Sequence, residues 1–154
     1  MIQRRQTIFL IFSILILIGY CFAPIVKVEG GGQSSYYLYP YSMHFAKNIG
    51  FPVIGHYFVL VTVVAACITM ALNLITIFLY TKRKVQIALC WLSIIPLIYA
   101  FCFVYYKWSS IEAIQDQFFY FGNLSPLVAI VFIFLAIFYI RKDEELVKSV
   151  DRLR

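Results

Sequence analysis

Apolar positions in this chain neither alternate nor form a single stripe; they fall into four long unbroken runs. Thr7 to Val26 reads TIFLIFSILILIGYCFAPIV and Val53 to Tyr80 reads VIGHYFVLVTVVAACITMALNLITIFLY. Two more runs extend from Ile87 to about Tyr106 and from about Gly122 to Ile140, and no Asp, Glu, Lys or Arg interrupts any of the four. A helix needs about 20 mostly apolar residues to cross a hydrocarbon layer of about 30 Å. The pattern therefore predicts an all-α integral membrane protein, a single domain over 1–154 with spans at about 7–26, 53–80, 87–106 and 122–140. Outer connections fall at 27–52 and 107–121, and a tail occupies 141–154.

Basic residues orient this arrangement, because Lys and Arg beside short loops resist translocation. Arg4, Arg5, Lys82, Arg83, Lys84, Arg141, Lys142, Lys148, Arg152 and Arg154 fall on one side, and Lys27, Lys47 and Lys107 on the other. Both termini are expected in the cytoplasm, with the spans forming an antiparallel bundle. The first run is read as a retained span rather than a cleaved leader, since Tyr20, Cys21, Phe22, Ala23 and Pro24 offer no small-residue cleavage site.

The segments between the runs add local expectations. Gly30 to Gly32 with Gln33, Ser34 and Ser35 predict a flexible turn, followed by Tyr36, Tyr37, Tyr39 and Tyr41. These tyrosines read either as an aromatic belt at headgroup level or as an extended segment that docks on a partner or lids the bundle. Pro40 argues against a paired central strand. The short TKRKVQ connection makes the second and third spans antiparallel neighbours. In the second outer connection, Glu112 and Asp116 at helical spacing suggest a short surface helix. Ser125 followed by Pro126 reads as an N-cap with proline at the first helical position, Gly122 to Leu124 being a frayed start. Pro96 is expected to kink the third span unless a neighbouring hydroxyl serves the freed carbonyl.

Polar residues inside the runs carry the sharpest pattern. Thr62, Ala66, Thr69, Asn73, Thr76 and Tyr80 recur at steps of four and three, which places them on one helix face. Lipid gives helices no hydrophobic reason to associate, so bundles use small residues and side-chain hydrogen bonds at their seams. This stripe is the expected centre of the bundle, with Gly19, Ala23, Cys90, Ser93, Ala100, Ala129 and Ala136 as matching small positions. It reads as interhelical packing, the alternative being a solute path or bound ligand.

Composition narrows the function classes. With 63% hydrophobic and 13% charged residues, the chain is unlike a soluble globule. The net charge of +6 follows from the orientation bias and attraction to anionic lipid, and does not point to nucleic acid. No ionisable group lies at depth for an ion-coupled transporter or proton relay. His44 and His56 both fall near the outer end of the second span, so no histidine pair is placed for a haem, and neither has a metal-ligand spacing partner. Cys21, Cys67, Cys90 and Cys102 stand singly, without a C-x-x-C pair. A Cys21–Cys102 bridge is permitted but not indicated. No catalytic residue, cofactor or metal is expected, and the chain is read as not an enzyme.

Three pieces, MIQRRQTI at the start, YTKRKVQIALC into the third span and IRKDEELVKSVDRLR at the end, resemble domain-of-unknown-function family 4293. The resemblance covers the whole chain in order and length, and the last piece is its most specific part; the outer-loop stretch GGGQSSYYLYPY shows no shared pattern. It implies a small four-span protein of a Gram-negative inner membrane, and no activity, substrate or catalytic residue.

That ending gathers nine of the twenty charged residues into its last fourteen positions. No glycine or proline follows Leu127, so nothing stops the last helix at the membrane surface. Leu146, Val150 and Leu153 share a face with Val147 beside it. This is either a solvated helix end or a docking face for the inner loop or a cytoplasmic partner. The expected function is a structural or accessory subunit partnered by membrane lipids and by another membrane protein or a second copy. The alternatives are a small transporter or ligand- or lipid-binding membrane protein using the stripe of the second span, and an intramembrane or lipid-modifying enzyme using His44, His56, Glu112 and Asp116.

Overall fold

The structure is a computed structural model that describes residues 5–24, 26–29, 35–38, 54–80, 82–109, 118–119 and 121–152. Four long helices account for most of them: α1 (Arg5–Phe22), α2 (Ile54–Phe78), α3 (Arg83–Ser109) and α4 (Ser125–Arg152). All four are long and apolar enough to cross a membrane. In hydrocarbon every backbone N–H and C=O must find its partner within the segment, which only a helix achieves for a single strand of chain.

The helix limits differ from the expected spans in ways the residues explain. The first ends at Phe22 rather than Val26, because Pro24 biases Ala23 away from helical backbone and cannot itself extend the ladder. The last turn tightens there, Ala23 N–H donating to Tyr20 O at 3.3 Å. Between α2 and α3 the connection is shorter than expected. A turn closed by Lys82 N–H to Leu79 O at 3.1 Å hands the chain straight to α3, so Arg83 and Lys84 lie in its first turn. The α3 helix continues through Pro96 to Ser109. At the other end, Phe121–Leu124 forms a short 3₁₀ turn running directly into α4, in place of the expected frayed start.

A small sheet joins the two outer connections, an addition to the all-α expectation. Strand β1 (Val26–Glu29) pairs antiparallel with β2 (Ser35–Leu38) and with β3 (Phe118–Phe119), in the order β2-β1-β3. Val26 stands opposite both Leu38 and Phe119. Tyr36 and Tyr37 thus belong to an edge strand that closes two residues before Pro40. Extended β3 occupies part of the segment where a surface helix was expected; Glu112, Asp116 and Gly30 to Gln33 lie outside the described residues.

The helices pack as a ring in which α1 meets α2 and α4, and α3 meets α2 and α4. Leu10, Leu17, Cys90, Ile94, Leu97, Ile133 and Ile137 fill the centre, with Ala129 and Ala136 letting α4 approach closely. Aromatic rings close the α1–α4 seam: Phe9 stacks on Tyr139 at 5.2 Å and Phe12 lies 5.8 Å from Phe132. Large apolar side chains such as Leu15, Phe78, Ile95, Tyr99 and Phe138 face outward. An apolar medium suits such a surface, because an exposed leucine loses nothing there.

Candidate functional site

The polar stripe of α2 is a feature of the interior that apolar packing alone does not explain. Thr62, Ala66, Thr69, Asn73 and Thr76 are all buried, whereas Tyr80, one step further along the expected stripe, is exposed. Tyr80 lies past the end of α2, where the helical repeat no longer applies. Each buried hydroxyl or amide engages a neighbour. Thr69 Oγ1 lies 2.9 Å from Ala65 O and 3.1 Å from Ser93 O on α3, and Thr76 Oγ1 donates to Leu72 O at 2.7 Å. Asn73 Nδ2 donates to Ser13 Oγ on α1 at 3.1 Å, and Thr62 shares a side-chain hydrogen bond with Tyr20 of α1. The stripe therefore connects α2 with both its neighbours.

Three of the partners were not foreseen as polar members of this seam: Ser13, Tyr20 and Gln86. Gln86 is buried and donates through Nε2 to Thr76 O at 2.9 Å. Thr76 O is among the last carbonyls of α2, where amide donors along the helix axis run out, so the following helix supplies a side-chain cap. Around Pro96 a hydroxyl does arrive, but Thr69 serves Ser93 O, one position beyond the Leu92 carbonyl whose donor proline lacks. Ser93 Oγ donates to Cys90 O at 2.8 Å in the same turn.

Of the small positions, Cys90, Ser93, Ala100, Ala129 and Ala136 are buried at seams. Gly19 is not: it faces out, and nothing would touch a side chain built on it. A different glycine makes the close approach, since a Cβ on Gly122 would fall 2.3 Å from Pro24 O. The 3₁₀ turn before α4 is thereby locked against the end of α1. All four cysteines are free, and among the described residues no three His, Cys, Asp or Glu side chains gather as a metal site. His44 and the side chain of His56 lie outside the described residues.

At the opposite end of the bundle the basic residues and the tail come together. Arg5 is poised over the Tyr139 ring at 5.9 Å, and Arg83 Nη1 donates to Asp143 O at 2.7 Å, tying the first turn of α3 to α4. Lys82, Lys84, Arg141 and Lys142 are exposed, and Arg4 lies outside the described residues. Helix α4 passes this point without a break and reaches Arg152, about 18 Å beyond Ile140 at 1.5 Å per residue. Leu146 and Val147 of the expected docking face are 58% and 44% exposed. The Val150 side chain and Leu153 lie outside the described residues.

No curated protein and no solved structure matches this chain. The pieces MIQRRQTI, YTKRKVQIALC and IRKDEELVKSVDRLR are those on which the sequence resembled one family of unknown function. That family, described as Domain of unknown function (DUF4293), matches residues 2–153, and the chain belongs to it.

Proposed function

We propose that this protein is a non-enzymatic structural or accessory subunit of a membrane complex, seated in a bacterial inner membrane with both termini in the cytoplasm. It meets its partner through the C-terminal part of α4. One observation carries the reading: α4 leaves the apolar span unbroken, and Leu146 and Val147 are 58% and 44% exposed beyond it. A rigid helix that presents apolar side chains among charged ones is a common form of docking element. The Arg83 bond to Asp143 O fixes the base of that helix, which lowers the ordering entropy lost on binding.

The test is purification from native membranes in mild detergent, with the full chain and with a chain lacking Val147 to Arg154. The cut falls beyond Asp143 and spares its contact. A stoichiometric partner that accompanies the full chain, and is lost from a truncated chain that still inserts, supports the proposal. A full chain recovered alone after cross-linking at native expression rejects it.

A second reading, a small transporter or ligand binder working through the α2 stripe, is favoured by two buried amide oxygens, Asn73 Oδ1 and Gln86 Oε1, that have no protein partner among the described residues. Flux into proteoliposomes that vanishes in Asn73→Leu supports it, and unchanged flux in that variant removes it.

A further inference from the structure

Polar groups in the half of the bundle near the α2–α3 turn do not balance. Thr69 and Thr76 donate to backbone carbonyls, Ser93 to Cys90 O, Asn73 through Nδ2 to Ser13 Oγ and Gln86 through Nε2 to Thr76 O. The helical N–H groups serve their own ladders. Two amide oxygens are left over, Asn73 Oδ1 and Gln86 Oε1, each buried and accepting nothing among the described residues. Thr76 links them in space, because it lies one turn from Asn73 on the same face and its carbonyl holds Gln86. An amide oxygen stripped of water without a replacement donor is destabilising.

We propose that these two oxygens form an internal hydration site, in which water entering from the α2–α3 end of the bundle donates to Asn73 Oδ1 and Gln86 Oε1. The chemistry selects the ligand. Each of the two oxygens lacks a donor among the described residues, and one water carries two. A cation would also satisfy the oxygens, but α1, α2 and α3 carry no Asp or Glu, Arg5, Lys82, Arg83 and Lys84 lie at the same end of the bundle, and the acidic residues there, Asp143, Glu144 and Glu145, belong to α4 beyond its apolar run.

Geometry sets the route. Gln86 is three residues into α3, about 4.5 Å along the axis from Arg83 at the helix start, and Asn73 is one turn deeper from Thr76. Beyond them Thr69 and Ala66 close the seam. Both oxygens are shut off from solvent in the closed bundle, so water reaches them when the first turns of α3 part from α2, the kind of local opening that helix ends undergo most readily. The site is independent of the docking reading: it lies inside the bundle and needs no partner.

The experiment is water-to-protein magnetisation transfer by NMR on the full chain in lipid nanodiscs. The side-chain NH₂ signals are assigned by their loss in Asn73→Leu and Gln86→Leu, or in Asn73→Thr and Gln86→Met where the leucine variants do not fold. Transfer to both NH₂ groups, with none to the backbone amides of Leu97 and Ala136, supports the site. No transfer to either, while the amide of exposed Lys84 exchanges, overturns it. Melting temperatures in potassium or ammonium chloride equal to those in choline chloride are expected. A rise specific to potassium or ammonium that disappears in Asn73→Leu assigns the oxygens to a cation and overturns the assignment to water.

Discussion

Single side chains in this bundle are separable by what they face. Thr69 places a hydroxyl within reach of carbonyls on two helices. Replacing it with valine keeps the shape and removes the donor. Side-chain hydrogen bonds between membrane helices contribute about 0.6 kcal/mol on average, with an upper range of about 1–2 kcal/mol. Thr69→Val is expected to lower stability by about that much in a denaturation series in detergent, while Ile68→Val on the exposed neighbouring face stays within about 0.5 kcal/mol of the parent. Gly122 is a stricter case. An alanine there puts Cβ 2.3 Å from the Pro24 carbonyl oxygen, a backbone atom that cannot rotate away. The end of α1 and the start of α4 must then separate, and Gly122→Ala is expected to cost about 1–3 kcal/mol in the same assay. Gly19→Ala, with nothing within 4 Å, should be neutral or slightly stabilising through helix propensity.

At the scale of elements, run length and charge were enough to find the four helices, because hydrocarbon leaves a chain few alternatives and the signal is repeated over some twenty positions. The buried stripe of α2 was legible for the same reason, its 4-3 spacing being visible from Thr62 to Thr76. Matching stripes on the neighbours were also in the sequence and were cut off by where the spans were drawn. Gln6, Leu10, Ser13, Leu17 and Tyr20 share one face of α1, and Gln86, Cys90, Ser93, Leu97 and Ala100 one face of α3, all buried. Both glutamines fall one residue before the start drawn for a span, at Thr7 and at Ile87, so the span boundary excluded the residues that extend the polar seam. The small sheet was hidden for a different reason. It depends on pairing Val26 with Leu38 and with Phe119, a separation that no local pattern records. The Arg83 to Asp143 contact is equally non-local, and it makes a prediction about α4. Arg83→Met keeps the apolar stem but loses the donor, so a spin label at Val147 should become more mobile, with about 1 kcal/mol lost in stability. A label whose mobility is unchanged would show that the tail is held by packing alone.

For the whole molecule, orientation is the property on which the proposed role depends, since a docking helix must face the compartment of its partner. The structure adds an argument to the count of basic residues. Arg83 and Lys84 sit in the first turn of α3, at the positive end of its dipole, where a cation costs about 0.3–1 kcal/mol. Lys82 immediately precedes them, and no acidic residue shares that turn. The proposed topology accounts for a placement that opposes local helix energetics, because three cations between two spans strongly resist transfer across a bilayer. Reporter fusions at the N-terminus and after Arg154 should therefore both read cytoplasmic. In the Lys82→Gln, Arg83→Gln, Lys84→Gln triple variant the helical ends keep their polarity and lose the charges. Arg4, Arg5, Arg141 and Lys142 still hold the outer two helices, so the population should become mixed rather than inverted. A parent chain whose C-terminal reporter is active only outside the cytoplasm would reverse the orientation, and with it place Leu146 and Val147 in the wrong compartment for a cytoplasmic partner.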